Sequence, residues 1–324
     1  LLIVFVLLTT GSKGVASSMI ERITVIGVGK MGGGIAANLA REEAFSVTVF
    51  DLEPEAMRRC LQAGARDAVS VPAAVASAQL VITSLPYPET VLSVYHEAAP
   101  ALPEQAIWMD VSTVDASTAQ QLEELQSASG RGFVACSLGN GPAEAAAGTL
   151  PLFVGGAPEL LDELDPIFSC IGQNVHRFGS VGAATSFKIA SNLICMSNLA
   201  VLAEGYALCR ACGISDDDFT SALKDTGGWS NQCARRLPQM FAGDFERRFR
   251  VDLALKDLRL AADTAARAGV PVPVGAAGLM QLVAAHADGY GDEDVAALLK
   301  VVSRPHAAID GNVRWQSDNR VSAV

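Results

Sequence analysis

An α/β fold is predicted: a doubly wound sheet, then one long helix, then an all-helical domain. Three observations carry this. Between Met19 and Gly179, β-rich runs alternate with helix-compatible stretches in the manner of a doubly wound sheet. From Ala183 to Cys212, roughly 30 residues run without proline, apolar over most of the helical circumference, and stop at Gly213. Beyond Gly213 the periodic segments are helical in spacing and no strand-like hairpin intrudes. The chain accordingly divides into an extension at 1–18, a sheet domain at 19–182, the long helix at 183–212, a helical domain at 213–310 and a loose polar tail at 311–324.

Taken in order, Leu1 to Leu8 is apolar but far short of the ~20 residues a membrane helix needs. Three readings of residues 1–18 stand open: a truncated signal peptide, an extension upstream of a start at Met19, or a vector-derived remnant, the last two being favoured. The expected strands are Ile23–Ile26, Val47–Phe50, Leu80–Thr83, Ile107–Asp110, Phe133–Cys136 and Leu152–Val154. Helices are expected over Glu53–Gln62, Ala74–Ala78 and Ala116–Ser127. In the helical domain they fall over Asp216–Thr226, Asn231–Ala242, Asp252–Ala268, Val274–His286 and Asp292–Val302.

Half of the 324 residues are hydrophobic, ample for one large or two medium cores, and a net charge of -11 argues against a nucleic-acid footprint and against adsorption to anionic membranes. The expected partners are small molecules and further copies of the chain. Seven scattered cysteines suggest a reducing compartment, and a cytoplasmic location is expected. Cys209-Arg-Ala-Cys212 has no second pair, so no metal site is expected.

The strand Ile23–Ile26 meets Gly27, Gly29 and Gly32 in G-x-G-x-x-G spacing, with Val28, Lys30 and Met31 between them, and a helix-compatible stretch follows. The first glycine permits a tight turn, the second lets backbone approach a pyrophosphate, and the third lets helix pack on strand. The phosphates then sit on free helix N–H groups. Asp51, closing the second strand, is placed to accept hydrogen bonds from ribose hydroxyls and to repel a 2′-phosphate, so NAD is preferred to NADP. Arg58 and Arg59 lie close enough in sequence to accommodate a phosphate instead.

In such a sheet the ligand lies outside the carboxyl ends of the strands. That singles out Ser84-Leu85-Pro86, Asp110-Val111-Ser112-Thr113 and Leu138-Gly139-Asn140-Gly141-Pro142. Ser112 and Thr113 also read as helix caps before Ala116. Lys188 interrupts the most apolar helix, and Asn192 shares its face four residues on. Two readings are open there: a lysine snorkelling to the surface, or a desolvated lysine of lowered pKa exchanging protons with a substrate oxygen.

Four motifs in order resemble the β-hydroxyacid dehydrogenase family: the glycine loop continued by Ala37-Asn38-Leu39, Asp110-Val-Ser112-Thr113, Gly179-Ser-Val-Gly182 with Lys188 and Asn192, and Leu255-Lys256-Asp257-Leu258. The resemblance spans about Ile23 to Leu258. It implies a Rossmann domain, a long interdomain helix and an all-α domain that supports homodimers or homotetramers. It also implies NAD- or NADP-linked oxidation of a small 3-hydroxy acid, or reduction of its semialdehyde. On this resemblance Lys188 is the general acid/base and Asn192 orients the substrate or the lysine. Ser112 and Thr113 lie by substrate and nicotinamide, Leu85 and Pro86 touch the cofactor, and Lys256 and Phe249 close over it. Gly139, Asn140 and Gly141 stand in the segment that meets the substrate carboxylate.

This chain departs from the family in two places. Gly139 replaces a serine that commonly contacts the carboxylate; its N–H and the Asn140 amide are left to bind an anion. Ser191 stands where many members have a second Asn. Trp229 and Asn231 are candidates for the pocket wall, Trp229 reading equally as a core aromatic. Two rival functions remain, an imine reductase, a group that generally lacks the lysine, and a catalytically silent NAD-binding oligomeric scaffold.

Overall fold

The computed structural model describes residues 20–303, so the extension at 1–18, the possible start at Met19 and the tail lie outside the described residues. Eight strands form one sheet: β1 (Arg22–Ile26), β2 (Ser46–Phe50), β3 (Arg66–Asp67), β4 (Leu80–Thr83), β5 (Ile107–Asp110), β6 (Phe133–Leu138), β7 (Leu150–Gly155) and β8 (Gly172–Arg177). Their order is β3-β2-β1-β4-β5-β6-β7-β8, and only the β6–β7 pair is antiparallel. The order reverses between β1 and β4. That is the position at which a doubly wound sheet opens a crevice at its carboxyl edge.

Between the strands lie α1 (Gly32–Arg41), α2 (Pro54–Gln62), α3 (Val71–Val75), α4 (Pro88–Ala98), α5 (Ala116–Ser127), α6 (Pro142–Ala147), α7 (Pro158–Glu163) and α8 (Asp165–Ile171). Strand side chains alternate between two cores because successive residues point to opposite faces. Leu80, Ile82, Ile107 and Met109 enter one core with Ile35, Leu39 and Phe168, while Val81 and Trp108 enter the other with Tyr95 and Leu122. After β8 come α9 (Val181–Ala211), α10 (Asp216–Lys224), α11 (Asn231–Ala242), α12 (Val251–Ala268), α13 (Pro273–Ala287) and α14 (Leu298–Val302).

The chain forms two compact units. One runs through Met196 and takes in Leu253–Ala276; the other comprises Ser197–Asp252 and the segment from Ala277. The first therefore contains the sheet, the N-terminal half of α9 and most of α12. In the second, Tyr206 is buried and its hydroxyl donates to Asp216 at 2.7 Å, while buried Asp294 accepts from Arg236 Nη1 at 2.9 Å.

Several expected elements shift. The third helix starts at Val71, three residues before expectation, because the Ser70 side chain accepts the Ala73 N–H and Pro72 suits a first turn. Two edge strands escape the sequence pattern: β3 is two exposed residues, and β8 is polar and exposed beyond Gly172. β6 runs on to Leu138, fully buried, so the loop after it begins at Gly139. The last helix starts late, since Asp294 caps a short 3-10 turn, Val295–Ala297, before α14. The long helix is displaced by one or two residues at each end, to Val181–Ala211.

Asp115, not Ser112 or Thr113, caps α5: its carboxylate accepts the Ser117 and Thr118 N–H groups at 3.0 and 3.2 Å. Burial pushes this carboxyl up, and hydrogen bonds from Ser117 and Thr118 more than reverse the effect, holding it below the ordinary aspartate range. Asp115→Ala is expected to cost about 1 kcal/mol of unfolding free energy in urea at neutral pH. A lowered folded pKa gives stability that is full above the unfolded value, about 3.9, and is lost as pH falls through the folded one. The gap between wild type and variant should therefore narrow in acid; a gap that stays constant to about pH 3 would refute the assignment.

Candidate active site

The glycine loop is built as its spacing requires. Gly27 follows β1 at φ +82°, and its N–H donates to Phe50 O at 2.9 Å. A Cβ on Gly32 would stand 2.0 Å from Gly27 O, a distance no side chain permits. A Cβ on Gly29 would meet nothing within 4 Å, so the loop is open where a pyrophosphate would approach. Lys30 is exposed and Met31 precedes the first turn of α1. Val28 is buried, and its N–H donates to Asp51 Oδ2 at 2.8 Å, while Asp51 Oδ1 accepts Glu53 N–H at 3.0 Å. Asp51 is thus held at the loop by backbone donors. Arg58 turns to Glu55, whereas Arg59 Nη2 lies 3.4 Å from Gly29 O. An open loop, a left-handed first glycine and an adjacent fixed carboxylate fit a dinucleotide.

Across the switch point, Ser84 and Leu85 form the floor of this loop. A Cβ on Gly27 would lie 2.5 Å from Ser84 O and 2.9 Å from Leu85 Cδ2. Pro86 beside them is exposed. Ser112 is buried; its hydroxyl donates to Asp110 Oδ1 at 2.7 Å and accepts the Leu85 N–H at 2.9 Å.

The expected catalytic pair lies on α9. Asn192 Nδ2 donates to Asp257 Oδ2 at 2.7 Å, Asp257 Oδ1 pairs with Lys256 Nζ at 2.8 Å, and Lys256 Nζ donates to Thr113 O at 2.6 Å. One carboxylate thereby links α9, α12 and the loop after β5. Lys188, one turn before Asn192, is half-buried rather than exposed. Burial pushes its ammonium below the ordinary lysine range, Asp257 and Cys195 oppose this, and Lys256 adds to it. Such a lysine can release and regain a proton at lower pH than an exposed one. Asp257 and Asp110 carry no role in the sequence reading. The detectable signal for Asp257 is a carboxylate between apolar Leu255 and Leu258, which needs a partner when buried.

The segment after β6 departs from expectation. The Gly139 N–H donates to Pro151 O at 2.8 Å and the Gly141 N–H to Glu144 Oε2 at 3.0 Å, so neither is left to bind an anion. A Cβ on Gly139 would press on Pro151 Cβ at 3.0 Å and Phe153 Cζ at 3.3 Å, so a larger residue there requires these side chains to shift by a few tenths of an ångström. Asn140 is exposed at φ +61°. Phe249 belongs to the second unit, where its N–H donates to Asp294 Oδ2 at 2.9 Å. Trp229, also there, is half-buried with Lys224 Nζ 5.6 Å from its ring, and Asn231 is exposed. Trp229 is therefore not a core aromatic.

Residues 22–179 match the NAD binding domain of 6-phosphogluconate dehydrogenase, and residues 182–302 match the NAD-binding domain of NADP-dependent 3-hydroxyisobutyrate dehydrogenase. The chain is 30% identical to 3-sulfolactaldehyde reductase of Escherichia coli K12 over 86% of this chain and 95% of that protein. It is 31% identical to 3-hydroxyisobutyrate dehydrogenase of Pseudomonas aeruginosa over 78% and 88%. The solved 3-hydroxyisobutyrate dehydrogenase of Salmonella typhimurium is 27% identical, with a TM-score of 0.81 over 87% of this chain and 99% of that one. An imine reductase from Pseudomonas shares the fold at 21% identity, with a TM-score of 0.60 over 87% and 99%. With its four motifs in order and these matches across both halves, the chain belongs to the 3-hydroxyisobutyrate dehydrogenase-like β-hydroxyacid dehydrogenase family.

Proposed function

We propose that this chain transfers hydride between NAD(H) and a small 3-hydroxy acid or its semialdehyde, with Lys188 as general acid/base. The observation that carries the reading is the Asn192–Asp257–Lys256–Thr113 chain set beside a lysine of lowered pKa. Relatives named as hydroxy-acid dehydrogenases and as an aldehyde reductase support chemistry on a CH–OH carbon. Lys188 also favours this reading over imine reduction.

A nicotinamide cofactor, when bound at the glycine loop, would supply or take up the hydride. Everything else is positioning and proton transfer. The neutral Lys188 amine accepts the hydroxyl proton during oxidation, and the ammonium returns it to the carbonyl oxygen during reduction. Asn192, held by its amide bond to Asp257, orients the substrate or Lys188 itself. Lys256 holds the loop at Thr113 through that residue's carbonyl. Ser112 acts on the substrate side through the loop it ties, its hydroxyl being engaged by Asp110 and the Leu85 N–H, and Asn140 meets the substrate, while the N–H groups of Gly139 and Gly141 are bonded within the protein.

The cofactor is NAD in preference to NADP, because a 2′-phosphate would meet the Asp51 carboxylate held at the loop. The chain is a soluble cytoplasmic enzyme. Although α9 is long and apolar enough to cross a bilayer, the bond from its Asn192 to Asp257 on α12 supports a packed helix. It assembles as a homodimer or homotetramer, a reading supported by Ile194, Val201 and Leu208, exposed at 62%, 61% and 66% with seven-residue spacing along α9. Light scattering that returns a monomer at working concentration would remove this last point.

Following NADH absorbance with a panel of 3-hydroxy acids and semialdehydes, Lys188→Ala should lower kcat roughly 10²- to 10⁴-fold while NADH still binds. Undiminished turnover would sink the assignment. Asp257 raises the Lys188 pKa, so Asp257→Asn should move the basic group in the kcat/KM profile for oxidation to lower pH; a shift upward contradicts the geometry. With NAD⁺ and NADP⁺ compared at one substrate concentration, kcat/KM should favour NAD⁺, and the reverse preference would overturn the role given to Asp51.

A further inference from the structure

We propose that Asp110 is a positioning residue for the cofactor loop, acting through Ser112 on Leu85. Asp110 closes β5 and is 3% exposed. Its Oδ1 accepts two hydroxyls, Thr83 Oγ1 and Ser112 Oγ, each at 2.7 Å, and the Ser112 N–H at 3.3 Å. Each hydroxyl has one proton, and both protons are committed to the carboxylate. Their lone pairs must therefore face donors. Thr83 Oγ1 accepts the Trp108 ring N–H at 3.2 Å, and Ser112 Oγ accepts the Leu85 backbone N–H at 2.9 Å. One buried carboxylate thus orients two hydroxyls, one anchored in the core and the other holding the loop after β4.

That loop is the floor beneath the glycines. Ser84 Cβ would stand 2.8 Å from a Cβ on Gly32, and Ser84 O and Leu85 Cδ2 crowd Gly27. A side chain on either glycine would overlap these atoms, so the glycine turn packs directly on the loop after β4, and a displacement of Leu85 is passed to the turn that receives the pyrophosphate. A full charge at this place is costly. Burial pushes the Asp110 carboxyl up, against the bonds from Ser112 and Thr83 and the charge of Lys256 on α12. The other titratable group facing it is the Cys136 thiol on β6, itself pushed up by burial and by Asp110.

The inference rests on the cofactor reading, and NADH titration without substrate, followed by fluorescence, tests it apart from catalysis. Ser112→Ala and Asp110→Ala should each raise the NADH Kd about tenfold, the loss of one hydrogen bond to a charged group or of the acceptor that orients it. The double variant should be no weaker than the worse single one, since both changes break one linkage. Asp110→Asn keeps an acceptor oxygen and should restore most of the affinity lost in Asp110→Ala. Saturating cofactor should recover more of kcat than of kcat/KM. Wild-type affinity in Ser112→Ala, or losses that multiply in the double variant, would overturn the proposal. Should Asp110→Ala fail to fold, Ser112→Ala and Asp110→Asn decide alone. A wild-type chain that binds neither NADH nor NADPH would overturn the cofactor reading as well.

Discussion

The Asp257 carboxylate is the point on which the candidate active site depends. It is 4% exposed, and a buried charge is strongly unfavourable unless paired and hydrogen-bonded. Lys256 and Asn192 meet that need, and in doing so they tie α12 to α9 and, through Thr113 O, to the loop after β5. The same carboxylate opposes the burial that lowers the Lys188 pKa. One group thereby ties down the residue one turn beyond the proposed proton donor and bears on that donor's acidity. Removing it would leave Lys256 short of a partner, so its structural and chemical roles are inseparable in this fold.

The cofactor side follows a different logic, one of close approach rather than charge. Gly27 and Gly32 are required by backbone oxygens that leave no room for a Cβ, and Gly29 leaves an open face. The resulting loop is held from two directions. Asp51 fixes it through the Val28 N–H, and the Asp110–Ser112–Leu85 linkage fixes the floor on which it rests. Strand order explains why these pieces meet. β2, β1, β4 and β5 are consecutive neighbours in the sheet, so four loops from well-separated stretches of chain end side by side.

Family membership sets the reaction class, and local packing sets what this chain can do differently. At Gly139 a side chain would crowd Pro151 and Phe153, and the backbone donors of the segment are already used by Pro151 and Glu144. In the function proposed for this chain, recognition of a substrate carboxylate in that segment falls to Asn140, an exposed neutral amide in a left-handed conformation. A neutral amide there discriminates by hydrogen bonding more than by charge, which bears on the size and number of anionic groups the pocket accepts.

By itself the sequence determined the alternation of strand and helix, the glycine loop, Asp51 beside it, and the long apolar helix interrupted by Lys188 and Asn192. Each of these is written in local spacing: period-two and period-3.6 patterns, glycines at fixed offsets, a charge where apolar residues surround it. Only the tertiary structure decided which polar groups meet. The pairing of Asn192 with Asp257 spans 65 positions, and that of Lys256 with Thr113 spans 143. It also removed the helix-cap reading of Ser112 and Thr113, which tie loops instead, and engaged the Gly139 N–H with Pro151. Edge strands β3 and β8 were illegible for a related reason: polar and exposed, they carry no apolar alternation, and only pairing with a neighbour makes them strands. Local pattern records which face of an element is buried. The partners of a buried polar group depend on the whole chain, because the cost of leaving it unpaired is met by whichever element the fold brings near.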